Sequence, residues 1–336
     1  MSKIRIIDVA NHAGVSKSTV SQYLNGRYGH MSEATKGKIK QAISDLNYVP
    51  SPIARNLKSD KTKTIGVVVR DISGFNTGKV LRAIDDYCKR HQYNVFIYNT
   101  DFDPEIEKQS LQILRQMRVD GIILTSTGHN QELIHSYQQQ NFPIVEFQLE
   151  YPGTRSNIVV SDYFAGAKQA TEYLIKLGHQ RIAFVTQPFE SGDSRSQRYQ
   201  GYREALALHN IEFESDWVID WQRESGFATN PTVLINSEQP VTAMFSQHLA
   251  ITMDLLKLLD SNNISIPNQV SVVGFDEIPM VDMFKVPVTV IKQDAYQIGV
   301  ESAKLMLQAI NAPEQAAQKV IVPCELIARD SCKLLS

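Results

Sequence analysis

The sequence predicts an α/β protein in two unequal parts: a small all-α head carrying a helix-turn-helix, and a larger two-subdomain core of parallel sheets. Three observations lead there. Apolar residues recur at helical spacing in three short bursts from Ile6 to Leu46, two prolines (Pro50 and Pro52) then interrupt the chain, and from Thr64 short β-branched runs alternate with amphipathic stretches. The chain has 336 residues, 43% of them apolar, which suits a small module plus one or two domains with a buried core.

In the head the bursts are Ile6/Val9/Ala10, Val15/Val20/Tyr23/Leu24 and Ile39/Ile43/Leu46, separated by Gly14 and by Asn25-Gly26. Ser16 is placed to cap the second helix and Ser32 the third, where Glu33 also meets the positive end of the helix dipole. A helix, a glycine turn and a serine-capped helix with a polar outer face form a helix-turn-helix, whose second helix fits the major groove of DNA. Residues 1–49 are assigned to this domain. Residues 50–63 are assigned to a hinge and linker, because the prolines end the third helix and Ile53 to Lys58 alone form only a marginal helix.

In the core, Ile65–Val69, Val95–Tyr98, Ile122–Leu124 and Ile144–Phe147 read as strands, with helices near Lys79–His91, Pro104–Arg118 and Gln131–Gln140. A second series has strands Ile182–Val185, Ala243–Phe245 and Val270–Val273, helices near Phe164–Leu177, Arg195–Asn210 and Leu249–Leu259, and a late helix over Tyr296–Ile310. Two halves of similar plan imply a cleft between them. The boundaries expected are 64–161 with 292–322 for one subdomain and 162–291 with 323–336 for the other.

The formal net charge of −2 conceals an asymmetry: residues 1–63 carry eleven Lys/Arg against four acids, a net +7, leaving −9 on the remainder. A basic head on an acidic body fits a phosphate-binding module joined to a domain that does not bind nucleic acid. The cysteines Cys88, Cys324 and Cys332 have neither metal-type nor disulfide-framework spacing, and neither an apolar leader nor a membrane-length apolar run occurs. A cytoplasmic protein with no membrane association is expected.

Enzyme motifs are missing from the places where they would sit. The turn Arg70 to Gly78 lacks both G-x-G-x-x-G and the P-loop pattern, the eight histidines form no H-E-x-x-H, and there is no G-x-S-x-G elbow. No enzymatic activity, cofactor or metal is expected.

The run DVA…AGVS…TVS…LN between Asp8 and Asn25, followed by LNYVP and ARNLKS, resembles the lac/gal repressor family of bacterial transcription regulators. The resemblance spans essentially the whole chain, because VSDYFAGAKQATEYLIKLGHQRIAFV, VSVVGFDE and TVIKQD are similar to that family's core. It implies a repressor that pairs as a homodimer on double-stranded operator DNA and responds to a small-molecule effector in the cleft of a periplasmic-binding-protein-like core. An alternative keeps the head but makes the regulating partner a protein, or the small molecule a corepressor. A transport receptor is disfavoured, since it would need a leader and no DNA-binding head.

Carried over by position, Lys17, Ser18 and Gln22 read bases; lysine donates to guanine and glutamine pairs with adenine. Ser16, Thr19, Ser21 and Asn25 match phosphate-gripping positions. Arg5 departs from the family's capping threonine and could meet a phosphate itself. Ala54 and Leu57 match the hinge helix that enters the minor groove, where a leucine wedge unstacks one base step. For the effector the resemblance implies Asp71, Phe75, Gln148, Arg195, Arg198, Trp221, Gln247, Asp276 and Gln293. An indole face suits a sugar's C–H surface, while Arg and Asp suit its hydroxyls.

Two departures bear on the ligand. Gln148 replaces the family's usual aspartate and Gln247-His248 an Asn-Asp pair, so acceptor charge is lost from the cleft. Arg195 and Arg198 share one face near the start of a helix, where an anionic sugar acid is expected; Arg198 could instead meet neutral hydroxyls. The wording TVSQYLNGRYGHMSEAT and TSTGHN is most similar to the subgroup controlling ketodeoxygluconate and uronate catabolism.

Overall fold

The structure, a computed structural model, describes residues 4–29, 31–49, 61–151, 153–189 and 194–335 and divides into two compact units between Thr62 and Lys63. The expected hinge positions Ala54 and Leu57 lie outside the described residues.

The first unit contains α1 (Ile6–Ala13), α2 (Lys17–Leu24) and α3 (Glu33–Asp45). Gly14 ends α1 at φ 66°, in the left-handed region where a Cβ is disfavoured, and so lets the chain turn sharply into α2. Ser16 caps α2 by accepting from the Thr19 N–H at 3.1 Å, and Ser32 caps α3 from the Thr35 N–H at 3.2 Å, as the sequence predicts. The apolar bursts meet inside: Val9, Ala10, Ala13, Val20, Ile39 and Ala42 form the buried centre, ringed by Ile6, Val15, Tyr23, Leu24, Ile43 and Leu46. Arg5 makes no side-chain cap; instead Asp8 reaches back to the Arg5 N–H at 2.7 Å.

The second unit is built on two sheets. The first runs in the order β12 (Lys319–Val322), β5 (Asn157–Ser161), β4 (Ile144–Phe147), β3 (Gly121–Leu124), β1 (Thr64–Val69), β2 (Asn94–Asn99), with every pair parallel. The second runs β13 (Cys324–Ile327), β11 (Thr289–Gln293), β10 (Ser271–Phe275), β9 (Ala243–Ser246), β6 (Ile182–Thr186), β7 (Val218–Gln222), β8 (Gly226–Phe227), with only its outermost strands antiparallel. Central strands such as β1, β3, β6 and β10 are buried on both faces, which is why they read as unbroken apolar runs.

Helices α4 (Phe75–Arg90) and α11 (Ala295–Asn311) cover one face of the first sheet, with α5 (Pro104–Gln116) and α6 (Gln131–Gln139) on the other. In the second sheet α7 (Tyr163–Lys176) and α8 (Ser194–Leu208) lie on one face and the short α9 (Thr232–Ile235) and α10 (Leu249–Ser261) on the other. The chain passes between the sheets three times, after Ser161, Gln293 and Val322. Among the described residues no helix is long and apolar enough to cross a membrane.

Strands β5, β7, β8, β11, β12 and β13 go beyond the sequence expectation. β8, β12 and β13 lie at sheet edges, where half-exposed alternation as in β12 and β13 weakens the apolar signal, while β5 and β11 are buried five-residue strands inside their sheets. One close approach positions the site: a Cβ on Gly201 of α8 would fall 2.3 Å from the Phe164 carbonyl oxygen, so glycine lets α8 lie directly on α7.

Candidate DNA-reading face and effector cleft

On α2 the side chains sort by face. Val20 is buried and Tyr23 and Leu24 pack beside it, whereas Lys17, Ser18 and Gln22 are exposed and Ser21 is half-buried. At about 100° per residue, Lys17, Ser18, Ser21 and Gln22 fall within an arc of roughly 140° that leaves Val20 outside it. Within the proposed phosphate set, Ser16 Oγ lies 2.6 Å from Ser18 Oγ and 2.8 Å from Thr19 Oγ1, and Asn25 Nδ2 donates to the Ser21 carbonyl at 2.7 Å. Arg5 is solvent-exposed, 3.9 Å from Asp8 through its Nε. The helix thus offers water-satisfied polar groups, which lose little when they exchange water for a base edge or phosphate.

The core gathers its polar residues differently. Asp71 follows β1, Thr125–Thr127 follow β3, Gln148 follows β4, Gln187 follows β6, Gln247 follows β9 and Asp276 follows β10. All stand at the carboxyl ends of parallel strands, where open α/β sheets bind ligands. The two sets of ends are bridged: Asn76 Nδ2, at the start of α4, donates to Asp276 Oδ1 at 3.0 Å, and Gln293 Nε2 donates to the same oxygen at 2.5 Å while Ser161 Oγ donates to Gln293 Oε1 at 2.6 Å. Gln148 and Asp276 adopt φ of 68° and 81°, left-handed conformations uncommon for such residues and typical of positions held by their surroundings at a site.

Arg198, 6% exposed, packs its guanidinium against the adjoining Tyr163 and Phe275 rings at 4.3 and 4.2 Å, with Nη1 donating to Ser194 Oγ at 3.3 Å. Burial pushes the Tyr163 phenol up to about 12 despite Arg198 beside it, so its hydroxyl stays protonated and donates to the Gln148 carbonyl at 2.9 Å. Gln247 is wholly buried and accepts from Thr186 Oγ1 at 2.8 Å, while its Nε2 has no partner. Burial also drives His248 down to about 4, partly opposed by Asp276, so the ring is neutral and its Nδ1 caps α10 through the Ala250 N–H at 3.1 Å.

Four expected residues are engaged otherwise. Arg195 sits one residue into α8 and donates from Nη1 to the Pro188 carbonyl at 3.1 Å. Asp71 Oδ1 is held by the Ser73 N–H and hydroxyl, while the Phe75 ring lies under the Lys79 ammonium at 4.0 Å. Trp221 is 2% exposed within the core of the second sheet, its Nε1 donating to Asp254 Oδ2 at 3.1 Å and its ring edge facing His248. The open stacking face expected of this indole is therefore covered here.

Several residues of the cleft carry no assignment from sequence, among them Arg70, Asn76, Ser161 and Tyr163. Arg70 directly follows the apolar strand β1, and a charged residue at the carboxyl end of a buried strand is the signal that could have found it. Among the described residues no group of three His, Cys, Asp or Glu side chains converges on a metal site.

Residues 62–330 match the family of periplasmic binding proteins and sugar-binding domains of the LacI family, and residues 5–51 match the LacI family of bacterial regulatory proteins. The chain belongs to the LacI family. A probable HTH-type transcriptional regulator EndR from Paenibacillus polymyxa is 34% identical, covering 92% of this chain and 91% of that one. An HTH-type transcriptional repressor PurR from Vibrio campbellii is 30% identical over 98% of this chain and 99% of its own. Among solved structures, the lac repressor dimer bound to operator and an anti-inducer superposes with TM-score 0.84 at 24% identity, covering 99% of this chain and 100% of that one. This LacI-family chain is thus a DNA-binding transcription regulator with a ligand-binding core, and its relatives are regulators, not enzymes. The narrower likeness to ketodeoxygluconate and uronate regulators is not what these relatives carry; they share the family's frame.

Proposed function

We propose that this protein is a homodimeric operator-binding repressor of genes for carbohydrate or sugar-acid use, controlled by a small polyhydroxylated molecule in the cleft between the two sheets. The observation that carries the reading is the Asn76–Asp276–Gln293–Ser161 chain, which ties the carboxyl ends of one sheet to those of the other through Asp276 and Gln293, two residues expected to hold the effector. A ligand hydroxyl competing for Asp276 Oδ1 exchanges hydrogen bonds across the divide and thereby favours one arrangement of the walls over the other. One helix-turn-helix contacts a half-site, so two-fold pairing matches a near-palindromic operator. Lys17, Ser18 and Gln22 are assigned to bases and Arg5, Ser16, Thr19, Ser21 and Asn25 to phosphates.

The test is a thermal-shift screen of sugars and sugar acids on the full chain, followed by operator titration with the ligands that stabilise it. A ligand that raises the melting temperature and changes operator affinity supports the reading, and the direction of change separates inducer from corepressor. Stabilising ligands with no effect on operator affinity would overturn it.

A further inference from the structure

Arg70 is out of balance with its surroundings. It stands at the carboxyl end of β1, its Nε is buried without a partner, and its guanidinium touches the Phe102 ring at 5.2 Å. Among the described residues its guanidinium has neither a hydrogen bond nor a carboxylate partner. The nearby acids are occupied: Asp71 by Ser73, Asp101 by Asn99 Nδ2 at 2.7 Å, and Glu107 by the Thr127 N–H at 2.6 Å and Asn130 Nδ2 at 2.9 Å. Burial lowers its pKa, and the positive charge of Arg195 on the second sheet's side lowers it further, with only partial relief from Tyr151, Tyr163 and Glu107. A lysine or histidine so placed could release its proton; arginine stays charged. A half-buried cation that cannot neutralise itself, with one donor cut off from solvent and a second cation nearby, has the character of an unfilled anion site.

Arg198 on the opposite wall shares part of this deficit: Nη1 donates to Ser194 Oγ, but its Nε is buried and unpartnered. The Tyr163 and Phe275 rings, 6.2 Å apart, both back its guanidinium, and with Nη1 on Ser194 the unpartnered Nε is the donor left for an anion. We propose that Arg70 is the anion receptor of this cleft, taking the carboxylate or phosphate of a small organic acid so that closure of the two walls, with Arg195 and Arg198 opposite, depends on that anion. This rests on the reading that the cleft holds the effector and adds the ligand's charge and the reason it couples the walls. Without the anion, Arg70 and Arg195 repel across the gap; with it, both are attracted to one negative group, so its binding energy differs between the open and closed arrangements.

The experiment uses the full chain at constant ionic strength. Calorimetry and thermal shift are recorded with inorganic phosphate and with matched probes: galactose against galacturonate, glucose against gluconate and glucose 6-phosphate. Operator affinity is read alongside. Wild type should bind phosphate saturably and at least one acid at least tenfold more tightly than its neutral partner, the carboxylate and phosphate arms identifying the group. Arg70→Met should abolish that preference and raise the melting temperature of the ligand-free protein, because a half-buried cation with an unpartnered buried Nε has gone. A purely structural arginine would lower it. Arg70→Lys, which keeps the charge and loses the fork, should retain part of the preference, and Lys257→Met, at an exposed position, should change nothing. Equal binding of acid and neutral partner, or a preference unchanged in Arg70→Met, overturns the proposal. If neutral sugars still bind and alter operator affinity in that case, the cleft reading survives; if no probe alters stability or operator affinity, both readings fall.

Discussion

The head and the core prepare for their partners in opposite ways. On α2 the proposed reading groups are exposed and already satisfied by water or by one another, as in the Ser16–Ser18–Thr19 cluster. In the core several donors at the cleft are buried without partners, among them Arg70 Nε, Arg198 Nε and Gln247 Nε2. A solvated face can meet many DNA sequences at little cost and discriminate by geometry, whereas buried unmet donors make the unliganded state expensive and confer sensitivity to one ligand chemistry. Selectivity in the head therefore resides in which side chains project, and in the core in which ones are unpaired.

The hardest way to break the comparison is to remove the support of one region and ask whether the other notices. Ile39 is wholly buried at the centre of the three-helix unit. Ile39→Ala should cost about 2–5 kcal/mol, a large share of what so small a core can supply. The expected outcome is loss of operator binding with the core's melting transition unmoved, read by calorimetry. A parallel drop in the core transition would show that the two units do not fold independently.

Acidity sharpens the contrast, because the large shifts lie in the core. Burial lifts Glu146 from 4.5 to about 7, and lowers His248 from 6.5 to about 4. Glu146 therefore contributes stability that is complete below pH 4.5 and lost as pH rises through 7. His248 contributes stability that is complete above pH 6.5 and lost as pH falls towards 4. Between those limits the two oppose each other. Relative to wild type, Glu146→Gln should gain roughly 2–3 kcal/mol on going from pH 4 to 8, and His248→Asn, which keeps a cap acceptor, should lose most of the acid sensitivity. His179, also lowered by burial, leaves a residue of the same sign. Denaturant titrations at several pH values check this; a flat Glu146→Gln difference would mean that the carboxyl is solvated.

Much of this was legible beforehand because the signals were local. Ser16, Ser32, Gly14 and the central apolar strands each declare themselves within a few residues, through a cap, a turn or an unbroken β-branched run. The cleft is long-range: the Asn76–Asp276 bond joins positions 200 residues apart, and Asn76 has no local pattern to mark it. Trp221 shows the converse, since an aromatic residue by sequence does not reveal which of its faces Asp254 and the second core have covered. Arg70 stood in plain view after β1, yet its significance lies in the partners it lacks, which only packing discloses.

A milder probe of the head is Gln22→Ala. With the side chain exposed on the polar face of α2, the variant should lose about 1–3 kcal/mol on operator DNA while keeping its affinity for random DNA. Equal loss on both would make Gln22 a backbone contact.

Ser16 offers the smallest effect and the cleanest division, because one hydroxyl serves two purposes. It caps α2 through the Thr19 N–H at 3.1 Å, and it is among the residues proposed to face phosphate. Ser16→Ala removes both and should cost about 0.5–2 kcal/mol of head stability. Ser16→Asp separates them: aspartate caps as well as serine and favours the positive end of the helix dipole, so the head should melt at or above the wild-type temperature. The same charge placed against a phosphate repels it, so affinity for operator and random DNA should fall together, most at low salt. A head that remains folded and fails on all DNA places Ser16 at the backbone. If Ser16→Asp binds as wild type does, the hydroxyl is only a cap, and the phosphate-gripping surface of α2 begins further along, at Thr19, Ser21 and Asn25.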